Sequence, residues 1–176
     1  FGIVLWLLWN LTIFGDALYF ILGPYSAYAQ QKVLRSVGQL PTEGNFFLSL
    51  SYYIWAVIEN NGFIITLLSL VGILTAPFTI KSKQQIVILL AVLSPLVFNV
   101  LALFLGQSAM NVLQAVKNPG LFNIRYGVLM LPAFALSLGI LASRKKLFWL
   151  VSLVFIFQSF IFIFQGRPIA LTDGLK

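Results

Sequence analysis

From Gln85 to Leu105 the chain reads QIVILLAVLSPLVFNVLALFL, with no charged residue. As a helix rising about 1.5 Å per residue this run reaches ~32 Å, the thickness of a bilayer's hydrocarbon core. Three more stretches, 62–78, 126–142 and 147–165, are apolar enough to span, and the chain opens inside another apolar run, FGIVLWLLWNLTIF, over 1–14. Only 9% of the residues are charged and 60% are hydrophobic, where a soluble domain has about a quarter charged. The expectation is an all-α polytopic transmembrane helix bundle with five spans and a membrane domain covering 1–165.

The opening run is a special case. Its helix would extend roughly 21 Å, short of the ~30 Å core, and it lacks the basic flank and small-residue cleavage site of a signal peptide. It reads as the cut end of a spanning helix, and the chain as a fragment of a longer protein.

Charge sets the orientation. Lys81 and Lys83 lie between the second and third spans, and Arg144, Lys145 and Lys146 between the fourth and fifth. Two short basic loops free of acidic residues belong in the cytoplasm by the positive-inside rule. The opposite side then carries 15–61, 106–125 and 166–176, the last as the start of an outward C-terminal segment. All four acidic residues, Asp16, Glu43, Glu59 and Asp173, fall in these outward segments.

The 15–61 segment has its own organisation. Between Gly23-Pro24 and Pro41-Thr42-Glu43-Gly44 lies SAYAQQKVLRSVGQL, polar enough for a surface helix. After Asn45, a candidate N-cap, FFLSLSYYIWAVIEN places Phe47, Leu50, Ile54 and Ile58 on one helical face. Ser49, Tyr52, Tyr53, Ala56 and Asn60 fall on the other. This suits an outward amphipathic helix in the interface with its aromatic residues at headgroup depth. The alternative is one tilted helix over 46–78; Glu59-Asn60-Asn61-Gly62 in its middle argues against it, because an ionised Glu at bilayer depth is costly.

Several positions carry a structural reading beside a functional one. Ser94-Pro95 and Asn99 mark a kink or an internal polar contact, Pro132 a bend one to two turns below Arg125, and Gln158 a bond to a neighbouring helix. Arg125 and Tyr126 end the polar stretch after Asn118-Pro119-Gly120. The guanidinium's planar fork matches phosphate oxygens, so Arg125, with Tyr126 or Lys117, is a candidate grip on a lipid-linked phosphate. The same pair fits an interfacial anchor that snorkels to ordinary lipid. Asp16, at the mouth of the first run, is a weak candidate base and an equally good helix cap. Glu43 and Glu59 read as solvated or structural.

The net charge of +7 is scattered through short loops, which argues against nucleic acid as a partner. Without histidine or cysteine there is no His-based triad, thiol site or iron–sulfur centre. Nucleotide-binding fingerprints and a nucleophile elbow are missing as well. No cofactor is evident from these residues, and a divalent metal stays open.

FNIRYGVLMLPAFAL resembles the Arg-Tyr…Pro stretch that begins a late transmembrane helix in bacterial membrane glycosyltransferases of the GT-C superfamily. LWNLTIFGDALYFILGPYSAYAQQ and LPTEGNFFLSLSYYIWAVIENNG are similar to other bacterial members of that group. The resemblance implies an inverting transferase that moves a sugar from a polyprenyl-phosphate donor to an acceptor outside the cytoplasmic membrane, with membrane lipids as its surroundings. It also implies that the catalytic carboxylate lies in a first outward loop upstream of Phe1, so that this fragment alone is inactive. Arg125 then matches the basic residue near the donor phosphate. The competing classes are a transporter, which would show broken helices with ionisable groups at the midplane, and a structural membrane protein.

Overall fold

The computed structural model describes residues 1–24, 26–80, 82–112, 123–143 and 145–164. These form eight α-helices and one 3₁₀ segment, with no strand among the described residues. They are α1 (Gly2–Phe14), α2 (Tyr19–Leu22), α3 (Ala27–Ser36), α4 (Phe46–Asn61), α5 (Phe63–Thr79) and α6 (Lys83–Phe104). A 3₁₀ segment (Ile124–Met130), α7 (Leu131–Ala142) and α8 (Lys145–Phe164) follow.

The N-terminal helices are local. Gly15, at φ 71°, closes α1 by returning its N–H to the Leu11 carbonyl. At 13 residues α1 is shorter than a crossing helix. It packs mainly on α2, where Phe14 stacks on Tyr19 with ring centroids 4.2 Å apart. Ser26 caps α3 by accepting from the Ala29 N–H at 3.1 Å. Asn45 caps α4 by accepting from the Leu48 N–H at 3.0 Å, as its place before the apolar run predicts.

Three helical stretches are long and apolar enough to cross a bilayer: Lys83–Phe104, Ile124–Ala142 and Lys146–Phe164. α4 and α5 pass the same test only as a pair, bent by 115° at Gly62, the form of a broken span or a re-entrant loop. The protein is thus a multi-pass membrane protein. The single long helix over 46–78 does not form, because Gly62 adopts φ 84° and ψ 149°, a conformation open essentially to glycine alone.

The helices have a consistent polarity. Ser82 and Gln85 form a capping box that starts α6, and the C-terminal halves of α5 and α7 lie together at one end of the bundle. Gly72 of α5 meets Ser137 of α7, each within about two turns of the C-terminus of its own helix. At the other, distal end, the Gly44 N–H donates to the Phe104 carbonyl at 2.9 Å. Thr42 donates to the Leu103 carbonyl at 3.2 Å. The start of α4 is therefore stitched to the end of α6, and α4 lies across the distal end.

The outside of the bundle is greasy: Phe78, Phe98, Trp149, Leu153, Phe157 and Phe164 are all exposed. In water such a surface would aggregate; against lipid tails it is solvated. The inside is correspondingly polar or small where helices meet. Thr66, Ser69, Gly72 and Ala76 form the buried stripe of α5. A Cβ at Gly72 would lie 2.6 Å from the Ser137 carbonyl oxygen, so α5 and α7 approach backbone to backbone, as small residues allow in membranes.

Two expectations change. Tyr52 and Tyr53 do not form an exposed face: they are 3% and 0% exposed, in a core with Ala56, Val57, Leu103, Met130 and Phe134. It is the apolar face, with Phe47 and Ile54, that is exposed. Pro132 does not bend a continuous helix over 126–142 either. The stretch begins as the 3₁₀ segment, and Pro132 stands at the start of α7, where a missing N–H costs nothing.

Candidate functional site

A 3₁₀ stretch usually runs three or four residues; this one runs seven. Its entry is set by Asn123, in the left-handed region at φ 56°. The Asn123 amide donates to the Ala109 carbonyl at 3.0 Å. Gly127 then lets the segment lie directly on α4, for a Cβ there would be 2.4 Å from the Ala56 carbonyl oxygen.

Side chains of α4 satisfy the carbonyls that the tight winding exposes. The Asn60 amide donates to the Ile124 carbonyl at 2.6 Å and to its own helix at Ala56 at 2.7 Å. The Tyr53 hydroxyl donates to the Tyr126 carbonyl at 3.2 Å. Asn99 of α6 backs this up, donating to the Pro95 carbonyl at 2.7 Å and toward the Tyr53 oxygen at 3.4 Å. Asn99 is thus an internal polar contact, one of the two roles its position suggests. Buried hydrogen bonds of this kind hold a backbone in one place, because breaking one leaves a polar group stranded.

Arg125 lies between the two clamped carbonyls. Its backbone is held on both sides while its side chain is exposed. The guanidinium carbon stands 5.8 Å from the centre of the half-buried Tyr126 ring, inside the range of a cation–π contact. Among the described residues Arg125 forms no ion pair. The site therefore offers an exposed cation on a held backbone, at the distal end of the bundle. Lys117, the third residue expected here, lies outside the described residues, as do Asp173 and the 166–176 segment.

The acidic candidates are dispersed. Asp16 is exposed and accepts from the Leu18 N–H at 2.8 Å, a local turn at the entry to α2. Glu43 holds Arg35 in a two-point fork, Nε to Oε2 at 3.0 Å and Nη2 to Oε1 at 2.6 Å. That hydrogen bond, with Glu43's charge, raises the Arg35 pKa above its ordinary value. The pair sits over Gly106, whose φ is 66° and whose Cβ would be 2.8 Å from the Glu43 carboxyl carbon. Glu59 is not solvated: it is 9% exposed, at the elbow between α4 and α5.

Tyr53, Asn60 and Gly127 position Arg125, and sequence reading assigned none of them to it. Asn60 and Tyr53 share one helical face in the sequence, which is the signal that points to them.

No family model, curated protein or solved structure matches the chain.

Proposed function

We propose that this chain is part of a bacterial cytoplasmic-membrane glycosyltransferase, in which Arg125 and Tyr126 hold the phosphate of a polyprenyl-phosphate sugar donor on the outer side. The observation that supports it is the exposed guanidinium on a backbone clamped at both neighbouring carbonyls. A cation that merely anchors a helix in lipid does not need its backbone fixed; one that must meet a phosphate in a set geometry gains from it. In such a transfer the bond between sugar and phosphate breaks and negative charge builds on the departing phosphate. A pre-placed guanidinium stabilises that charge. Tyr126 lies beside the guanidinium, 5.8 Å from its carbon to the ring centre.

The test uses the full-length protein in membranes supplied with a panel of polyprenyl-phosphate sugars. Arg125→Ala is expected to lower sugar transfer by about tenfold or more, the scale of a lost charged contact. Arg125→Lys should recover only part, since a point charge lacks the fork. Transfer by both variants equal to wild type, at matched expression, would return Arg125 to the role of a lipid anchor.

A further inference from the structure

Hydroxyl side chains in the long helices of this chain generally bond within their own helix. Thr75, Thr79, Ser94, Ser137 and Ser159 each donate to a carbonyl three or four residues back, at 2.8–3.3 Å. Thr66 and Ser69 of α5 depart from this habit. The two residues are 5% and 0% exposed, and their hydroxyl oxygens have no hydrogen-bond partner among the described residues. The side-chain oxygen of Asn61, a residue 4% exposed, is in the same state; its amide nitrogen does bond, donating to the Val57 carbonyl at 2.8 Å. Three buried oxygens without partners thus fall in one stretch, 61–69, whereas buried polar groups in folded proteins are as a rule paired.

The break in the helix brings them to one region. α4 ends at Asn61, and the path turns by 115° at Gly62. The last carbonyls of α4 have no following turn to pair with and carry the negative end of its dipole. The Gly62 carbonyl accepts from the Thr66 N–H at 3.0 Å, so Thr66 stands one turn into α5. Ser69, three residues on, lies on the same face, its Cβ about 5–6 Å from that of Thr66. One turn deeper, the backbones of α5 and α7 approach closely at Gly72 and Ser137, and on the α8 side Gln158 lies against Gly62. The elbow is thus hemmed in on two sides, and the side-chain atoms it leaves unpaired are neutral oxygens.

We propose that the elbow binds a sodium ion, with Asn61 Oδ1, the Thr66 and Ser69 hydroxyl oxygens and the last carbonyls of α4 as its ligands. An amide oxygen can only accept, and each hydroxyl has lone pairs to offer. A water has two protons to give; a cation is shared by all the oxygens around it. Neutral oxygens suit a monovalent ion, because calcium and magnesium draw carboxylates. Glu59, the carboxylate at the elbow, has an interaction of its own and is not called on. The ends of broken helices in membrane proteins hold sodium in this way. The site is separate from that of Arg125, and its test needs no sugar transfer.

The test is binding of radioactive sodium to the purified full-length protein in a non-ionic detergent, with choline chloride holding the ionic strength constant. Wild type is expected to bind saturably, and unlabelled sodium chloride to displace the label at a concentration about tenfold below that of potassium chloride. Thr66→Val and Ser69→Ala each remove one oxygen and strand no polar group, so both should fold and each should weaken binding by about tenfold or more. Thr66→Ser, which keeps the hydroxyl, and Thr75→Val, whose hydroxyl bonds within its own helix, should bind as wild type does. No saturable binding by wild type would overturn the proposal, leaving the oxygens to water. Equal binding by wild type, Thr66→Val and Ser69→Ala would overturn it as well, placing the ion elsewhere. So would displacement by potassium as readily as by sodium.

Discussion

Replacing Gly127 by alanine tests how closely the 3₁₀ segment is bound to α4. The added methyl would start 2.4 Å from the Ala56 carbonyl oxygen, 2.7 Å from its carbon and 2.8 Å from the Val57 nitrogen. All three are backbone atoms and cannot rotate away. Ordinary contact begins at 3.4 Å, so segment and helix must part by ~1 Å to reach normal packing. The Asn60–Ile124 bond, now 2.6 Å, and the Tyr53–Tyr126 bond, now 3.2 Å, would then both exceed hydrogen-bonding distance. Overpacking costs about 1–3 kcal/mol and each lost bond about 0.5–1.5 kcal/mol. The expected loss is about 2–6 kcal/mol.

The assay is unfolding of the purified protein in mixed micelles of rising SDS fraction, followed by circular dichroism. Gly139→Ala in α7 is the matched control, since a Cβ there meets nothing within 4 Å. It should be neutral or stabilise by up to about 1 kcal/mol through helix propensity. A Gly127→Ala protein within about 0.5 kcal/mol of wild type would refute the close approach. So would a Gly139→Ala protein harmed as much.

Two smaller changes probe the surroundings of the site. Tyr53→Phe removes the donor to the Tyr126 carbonyl but leaves Asn99 bonded to Pro95, so it should cost about 0.5–1.5 kcal/mol in the same unfolding assay; a larger loss than Gly127→Ala would show that the tyrosine, not the close approach, holds the segment. Glu43→Gln breaks the fork on Arg35 and should speed hydrogen exchange of the α3 amides. High salt should produce the same effect in wild type but add little in the variant, and α3 exchange that ignores both would separate the ion pair from the placement of that helix.

Three of the five expected spans and the elbow were legible in the sequence because lipid expels charge; the run over 1–14 forms only a 13-residue helix, and 62–78 reaches spanning length only together with α4. Uninterrupted apolar runs mark the crossings, and Glu59-Asn60-Asn61-Gly62 marks the place where α4 cannot continue into α5. Which face of α4 turns inward was not legible by the same logic. In water the apolar face is buried; in a bilayer both lipid and core are apolar, so burial follows small and polar residues that can pair or pack closely. Ser49, Tyr53 and Ala56 therefore face the bundle, and Phe47 faces out. The 3₁₀ winding was hidden for another reason. Nothing in IRYGVLM opposes an α-helix except Gly127, and the tight form is set by donors on α4 that lie far away in sequence. Arg125 was found as an isolated cation, but its support came from residues whose role needs a partner 64 or 73 positions away.

Those separations also have a meaning in time. Asn60 and Tyr53 leave the ribosome long before Ile124 and Tyr126 exist. At about 5–20 residues per second the gap of 64 residues lasts roughly 3–13 s. Throughout it Asn60 and Tyr53 lack the Ile124 and Tyr126 carbonyls, while the elbow and α5 are already made. Before Ile124 emerges, the partners available to the start of α4 are the Leu103 and Phe104 carbonyls at the end of α6. The short segment that carries the arginine brings the last partners of α4, so completion of that helix's inward face and of the arginine's support are one event.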